Sequence, residues 1–453
     1  MPTDPLHTLL ARRRTLAMLA HGALALAAQS ARGATPAPRP VVVMTSYPDE
    51  VMTRFEAAFE RAHPEYRLRI LWRMPHDALP WLRQPGQGGV DVYWSASPRT
   101  FALLKAEGAL RVLDLDRDGL PERIGRTRLS DPQGHYLATE VAGYGFVLNP
   151  SALQRLGVAP PQDWRDLADP RLAGRLALPN PARVGFAPVL VDIVLQAHGW
   201  QAGWALWSEI AGLATLVNAG GTQIGDEVAS GRAALGLSID FFVASAIANG
   251  APLAFAYPAH GGINPAHIAI TTAAPNPEGA RAFADFVLSA AGQRLLAHPD
   301  IRKLPVRPAV YEDLPPDYHN PFAAAAQGSY DYDNGAGRER LALIAALFEQ
   351  MLVQGHATHA ELWARVHAAE RAGHGMAAVR RLLCAPVLDE RAAASPALLD
   401  VFRARVERGG NDTGTATPPS TADDAIARLE VEWQWQTAKA RSAAARLLDE
   451  AGA

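Results

Sequence analysis

The 453-residue sequence predicts an α/β protein that carries an all-helical C-terminal extension. Three observations lead there. Pro40–Ser46 and Tyr66–Trp72 read as strands on either side of a helical stripe (Met52, Phe55, Phe59, Ala62), which makes a strand–helix–strand unit. Leu235, Leu237 and Ile239 alternate as a strand does, and Phe242, Ala246 and Ala248 then recur at helical spacing, so the hydrophobic period changes at Asp240-Phe241-Phe242. From Arg338 onward the apolar residues fall at helical spacing alone.

Composition narrows the classes. A hydrophobic content of 49% supports substantial cores, and a net charge of −3 argues against a nucleic-acid binder driven by bulk charge. The single cysteine, Cys384, excludes an intramolecular disulfide framework and a thiolate metal cluster, and reads as a small buried residue. Arg12-Arg13-Arg14 precedes a modestly apolar run, Leu16–Ala28, followed by small residues. That order marks residues 1–33 as a signal peptide, cleaved on export.

Taken in order, Pro40–Ser46 has the continuous apolar character of a buried parallel strand. Tyr47-Pro48-Asp49-Glu50 opens a helix, with proline tolerated in the first turn and two carboxylates facing the positive helix end. Val90–Trp94 is a further strand and delivers Ser95-Ala96-Ser97-Pro98 to the edge where Thr45 and Ser46 end the first strand. In open α/β sheets ligands sit beyond such carboxyl ends, although a serine there also serves as an N-cap. Tyr136–Asn149 alternates, and Gly143 and Gly145 around Tyr144 would let a strand crossing between lobes approach other backbone closely. Asn180–Phe186 opens a long helix, and Arg183 beside its N-terminus could cradle an anion or remain a solvated charge. Trp200–Leu216 reads as one amphipathic helix, Asn218–Gln223 as a Gly-rich turn and Ile224–Ser230 as a short helix. Leu253–Tyr257 and Ile263–Thr272 follow as strands, and Asn276-Pro277-Glu278 starts another helix. The stripes Leu341/Ile344/Phe348/Met351, Leu362/Val366/Ala369 and Ile426/Leu429/Trp433 suit packing on the body or on a partner.

Other motifs carry less. Asp114–Gly119 imitates the start of a calcium loop, but the twelfth position is Gly125 where a bidentate glutamate is required, so a solvated acidic turn is expected. His356 and His359 share a helical face and read as surface residues. There is no Gly-x-Ser-x-Gly, no His-Glu-x-x-His and no phosphate-binding Gly-x-x-x-x-Gly-Lys, so an enzyme is not expected.

From about Val41 to Val310 the chain resembles periplasmic solute-binding proteins of ABC importers, in their ferric-ion and organophosphate branch. The resemblance runs through Val41–Glu50, Asp91–Pro98, Pro161–Pro181, Gly199–Leu213, Val228–Phe242, Pro252–Gly292 and Leu304–Arg307, and the length and helical tail are most similar to the phosphoglycerate transport regulatory proteins. It implies a two-lobed periplasmic binding protein (type II): residues 34–142 plus 258–330 as one lobe, 143–257 as the other and 331–453 as the helical extension. Pro48, Ala96, Phe241 and Phe242 occupy positions where ferric binders of the family carry their side-chain ligands, so neither a metal nor another cofactor is expected. The implied function is capture of a small polar solute, an organophosphate or phosphonate, for a permease in the inner membrane. Thr45, Ser46, Ser95, Ser97, Tyr144, Arg183, Gly185, Asp240 and Phe241 would line the site. Two alternatives stand beside it. One is a sensory adaptor that reports occupancy through the extension to a membrane sensor kinase. The other is a binder of a cationic amine, with Asp240 as acceptor.

Overall fold

The computed structural model describes residues 37–409 and 421–452, so the signal peptide read in residues 1–33 lies outside the described residues. Twelve strands are present among these: β1 (Arg39–Thr45), β2 (Tyr66–Trp72), β3 (Val92–Ser95), β4 (Arg123–Ile124), β5 (Thr127–Arg128), β6 (Leu137–Leu148), β7 (Leu176–Pro179), β8 (Ala214–Val217), β9 (Leu235–Ile239), β10 (Ala254–Ala256), β11 (Ile263–Ile270) and β12 (Leu304–Pro305). All but the small β4–β5 hairpin join in the order β2-β1-β3-β11-β6-β9-β7-β8, with β10 and β12 also on β6.

β6 is the strand the two lobes share. Its first half pairs with β11 and β12 in the first lobe, and from Tyr144 to Leu148 it pairs with β9 and β10 in the second. All twelve of its residues are buried. The glycines at the changeover are required by space: a Cβ on Gly143 would meet the Tyr257 ring at 2.4 Å, and one on Gly145 the Ala256 carbonyl oxygen at 2.4 Å.

In the first lobe, alternation along β1 sends Val41 and Val43 to one face, with Phe55, Trp94 and Phe283, and Met44 to the other, with Tyr93, Phe101 and Leu104. Trp94 meets Phe55 edge-on at 4.8 Å. The second lobe stacks Phe146, Trp164, Leu190, Trp204 and Trp207 on one face of its sheet and Val147, Ala177, Ile224 and Val228 on the other.

Two segments differ from the sequence expectation. The helix from Trp200 ends at Leu213, and Ala214–Val217 is β8; four residues, three of them apolar, that continue a helical stripe show no period of their own. The helix expected from Ile224 already begins at Gly221, inside the expected turn.

The C-terminal helices are built into the second lobe. Leu343, Ile344, Leu347, Phe348 and Met351 belong to the same core as Trp204 and Trp207, and Phe348 stands 5.9 Å from the Trp207 ring. His356 and His359, read as surface residues, are instead used in packing. Their Nε2 atoms lie 2.9 Å from Ala211 O and 2.8 Å from Ser208 O, and burial pushes His359 down to about 3. Two histidines one turn apart face a neighbouring helix as readily as solvent, which spacing alone does not reveal. Arg380 bridges Glu209 and Glu370, and Arg441 donates to Met351 O and Gln354 O where the preceding helical run ends. Cys384 is half-buried and its thiol is pushed up to about 11 by burial, as suits an inert packing residue. No helix among the described residues is long and apolar enough to cross a membrane.

Candidate functional site

Strand directions locate the site. β1, β2 and β3 are parallel, β11 is antiparallel to β3, and β6 is antiparallel to β11, so β6 runs with the first lobe's strands toward the second lobe. β9 is antiparallel to β6, and β7 and β8 follow β9, so these strands run back toward the first lobe. The carboxyl ends of both strand sets therefore face each other across the middle of β6. Ser95 at the end of β3 is level with His267 and through it with Ala138, whereas Ile239 at the end of β9 is level with Tyr144. The stretch between them, Thr139–Gly143, is the floor, about 17 Å along at roughly 3.4 Å per residue.

On the floor stands an ion pair that sequence reasoning missed. Lys303, just before β12, places Nζ 3.1 Å from Glu140 Oε1. The lysine is 6% exposed and the glutamate 1%. The Tyr47 hydroxyl donates to the same Glu140 oxygen, and burial followed by the Glu140 charge raises its pKa well above the ordinary phenol value. Lys303 Nζ also lies 3.9 Å from the Tyr47 ring centroid and 5.0 Å from that of Phe241, so one cation touches both lobes. A lone glutamate inside the otherwise uncharged run Leu137–Leu148 was the signal that could have found this pair.

The first-lobe edge carries hydroxyls. Ser46 Oγ and Ser95 Oγ are 3.1 Å apart, and Ser97 Oγ lies 2.7 Å from Thr100 Oγ1. The buried Tyr93 hydroxyl sits near Ser95, Ser97 and Thr100 without a partner in hydrogen-bond geometry. Thr45 and Ser95 are fully buried, and Thr45 Oγ1 accepts from Tyr47 N at 3.1 Å, so it shapes the turn, while Ser46 and Ser97 are the partly exposed hydroxyls of this edge.

The second-lobe edge carries helix starts. β7, β8 and β9 lead into helices Ala187–His198, Gly221–Ala229 and Phe241–Ala248, whose positive ends lie at this edge, although several of their first N–H groups are already taken: Ala187 N by Val184 O, Val189 N by Phe186 O, Gln223 N by Gly220 O and Phe241 N by Asp240 Oδ1. Arg183 and Gly185 are exposed on the loop before the first of these, and Arg183 forms no ion pair. Phe241 is partly exposed.

Asp240 is a correction. Its Oδ1 accepts from Phe241 N at 2.6 Å, and its Oδ2 from Gly143 N at 2.8 Å and Tyr257 Oη at 3.0 Å. Burial pushes its pKa up to about 6, against these hydrogen bonds and the charge of Lys303. Both oxygens are engaged in pinning a helix start to the shared strand, which gives Asp240 a structural role and leaves it buried. Tyr144 is a second correction. It lies in the second-lobe core with Phe146 and Tyr332, because alternation along β6 turns it away from the face that Gly143 presents to Tyr257 and Asp240.

Two α/β lobes on a shared strand, with strand ends facing across it, define a two-lobed binding protein. The chain belongs to the bacterial extracellular solute-binding protein family, whose model matches residues 90–324. It is 29% identical over 306 residues to the phosphoglycerate transport regulatory protein PgtC of Salmonella typhimurium, covering 66% of this chain and 74% of that one. An uncharacterized protein of Haemophilus influenzae is 30% identical over 166 residues, 36% of this chain and 48% of that one. Among solved structures, the fructose-6-phosphate-bound periplasmic binding protein AfuA of Actinobacillus pleuropneumoniae is similar at TM-score 0.51 and 19% identity, over 67% of this chain and 96% of that one. Iron-bound HitA of Pseudomonas aeruginosa is similar at TM-score 0.54 and 15% identity, over 68% and 98%. These likenesses establish the fold. Family membership makes the chain a solute-binding component of the ABC-transporter type, partnered by a permease and a small-molecule solute.

Proposed function

We propose that the protein, exported to the periplasm with removal of residues 1–33, captures a small anionic solute of the phosphate-ester or phosphonate class between its lobes and hands it to an inner-membrane permease. The observation that carries this reading is the chemistry of the second-lobe edge. Three helix N-termini and the unpaired guanidinium of Arg183 stand there, and the carboxylate among them, Asp240, is consumed by three internal donors. The positive ends of the helix dipoles attract an anion, and Arg183 adds a charged fork suited to phosphate oxygens. Ser46 and Ser97 supply hydroxyl donors from the opposite lobe, with the buried Ser95 hydroxyl behind Ser46, and the backbone at Gly185 is open to close approach. A cationic amine would need an accessible acceptor at that edge, and Asp240 is buried with three donors already on it. The names of two relatives point the same way, one a phosphoglycerate transport regulatory protein and the other a fructose-6-phosphate complex.

The test is a thermal-shift panel on the mature protein. Phosphate esters and phosphonates should raise the melting temperature by mass action. Stabilisation by ferric ion or a polyamine alone would reject the reading.

A second reading, occupancy signalling to a membrane sensor, draws on one observation. Helix Ala187–His198 starts at the cleft edge, and Val191 and Val194 share a core with Ile344 and Phe348 of the extension. A solute at that helix start has a packed route to the C-terminal helices. Substitution of the exposed Trp435 on the last helix should then abolish induction of the transporter while uptake persists; unchanged induction would remove this reading.

A further inference from the structure

The last helix, Thr421–Glu450, is packed on one side only. Ile426, Trp433, Ala444 and Leu448 are buried against the second lobe and the rest of the extension. The opposite face carries Val431 and Trp435, 65% and 62% exposed and the two most exposed large apolar side chains among the described residues. They stand one turn apart, and the exposed Ala438 continues the row. Exposed charges flank it: Asp424 and Glu432 before Trp435, Lys439 and Arg446 after it. Lys439 Nζ lies 5.1 Å from the Trp435 ring centroid. Glu432 and Lys439 share one side of the row but stand about 10 Å apart along the axis, too far to pair within one helix, and Asp424 and Arg446 are about 33 Å apart.

We infer that this face binds the same face of a second copy of the chain, the two helices running antiparallel about a two-fold axis at Trp435. The register follows from the spacing. In such a contact residue i meets residue j and j meets i, so positions equally far before and after Trp435 face each other. Glu432 then meets Lys439 of the second copy and Asp424 its Arg446, and the symmetry forms each pair twice. Val431 lies over Ala438 of the second copy, and the two Trp435 rings meet at the axis. Arg428 falls opposite Ser442, and Asp449 is held by Arg365 of its own chain, so no like charges stand directly opposite. A parallel pair would instead set Glu432 on Glu432 and Lys439 on Lys439. Burial of Val431 and Trp435 supplies the attraction, and the charge pairs fix the direction. One helix pair is a small interface, so association in the micromolar range is expected.

The experiment is sedimentation velocity of the full mature chain across the micromolar range, on the parent and four variants. The parent should pass from monomer to dimer. Glu432→Lys and Lys439→Glu each set like charges opposite and should each raise the dissociation constant at least about tenfold, while the double variant returns to within about threefold of the parent. Trp435→Glu should stay monomeric. These positions are exposed, and an unchanged melting temperature confirms that each variant is folded. A parent that is monomeric throughout, a dimer indifferent to Trp435→Glu, or a double variant no tighter than the singles would each overturn the inference. A monomeric parent that sediments with anionic phospholipid vesicles would assign the face to a membrane surface and overturn it as well.

Discussion

The two lobes share a sheet and an edge geometry, yet they are stabilised and equipped differently. The first lobe closes its core with its own helices, around Phe55, Trp94 and Phe283, and offers hydroxyls at its edge. The second lobe borrows its roof from residues beyond 340 and offers helix starts, a guanidinium and aromatic rings. The comparison teaches that the extension belongs to the folding unit of the second lobe. Under the function proposed above, charge recognition would fall mainly to that lobe.

The sharpest way to break this comparison is at the roof. Phe348→Ala removes a fully buried ring packed against Trp207, and should cost about 3–5 kcal/mol in urea unfolding. A cost below about 1 kcal/mol, typical of surface changes, would mean that the extension is an appendage.

Next in size is the floor. Lys303→Met leaves Glu140 buried without its cation and should cost about 3 kcal/mol. Double substitution with Glu140→Gln should recover most of that loss, and its failure to do so would show that the pair does not act as a unit.

A smaller effect separates two kinds of buried group by pH. Asp240 titrates near 6 in the folded protein and near 3.9 unfolded, so the folded state holds the extra proton between these values. Its contribution is complete below about pH 4 and is lost as pH rises through about 6. His267 and His359, pushed by burial to about 4 and about 3, act in the opposite sense: their contribution is present above about 6.5 and lost as pH falls through those values. Parent stability relative to Asp240→Asn should therefore fall by about 2 kcal/mol between pH 4 and pH 7, measured by urea unfolding. A flat difference would contradict the assignment of Asp240 as a buried pin.

How much of this was legible in the sequence follows the range of the forces involved. Tyr66–Trp72 and Leu235–Ile239 were readable because period-2 alternation is local, and the crossing role of β6 because Gly143 and Gly145 stand out within it. The work of Asp240 was not readable. Its partner Gly143 lies 97 residues away, and a carboxylate at a helix start looks the same whether it caps, pins or binds. Glu140 and Lys303 are separated by 163 residues, and neither sits in a motif. Ser46, Ser95, Ser97 and Arg183 could be named as candidates because strand ends and helix starts have sequence signatures; whether a hydroxyl there is free depends on neighbours brought by the fold.

The smallest expected effect on stability accompanies the largest on binding. Arg183 is exposed and without an ion pair, so Arg183→Ala should change unfolding free energy by less than about 0.5 kcal/mol. The most direct measurement of the central claim is therefore calorimetric titration of inorganic phosphate into the parent and into Arg183→Ala. The account predicts saturable binding of one anion per chain in the parent, weakened at least about tenfold in the variant, as for loss of a charge-assisted hydrogen bond. Equal affinity in the two proteins would contradict capture of an anion at the second-lobe helix starts.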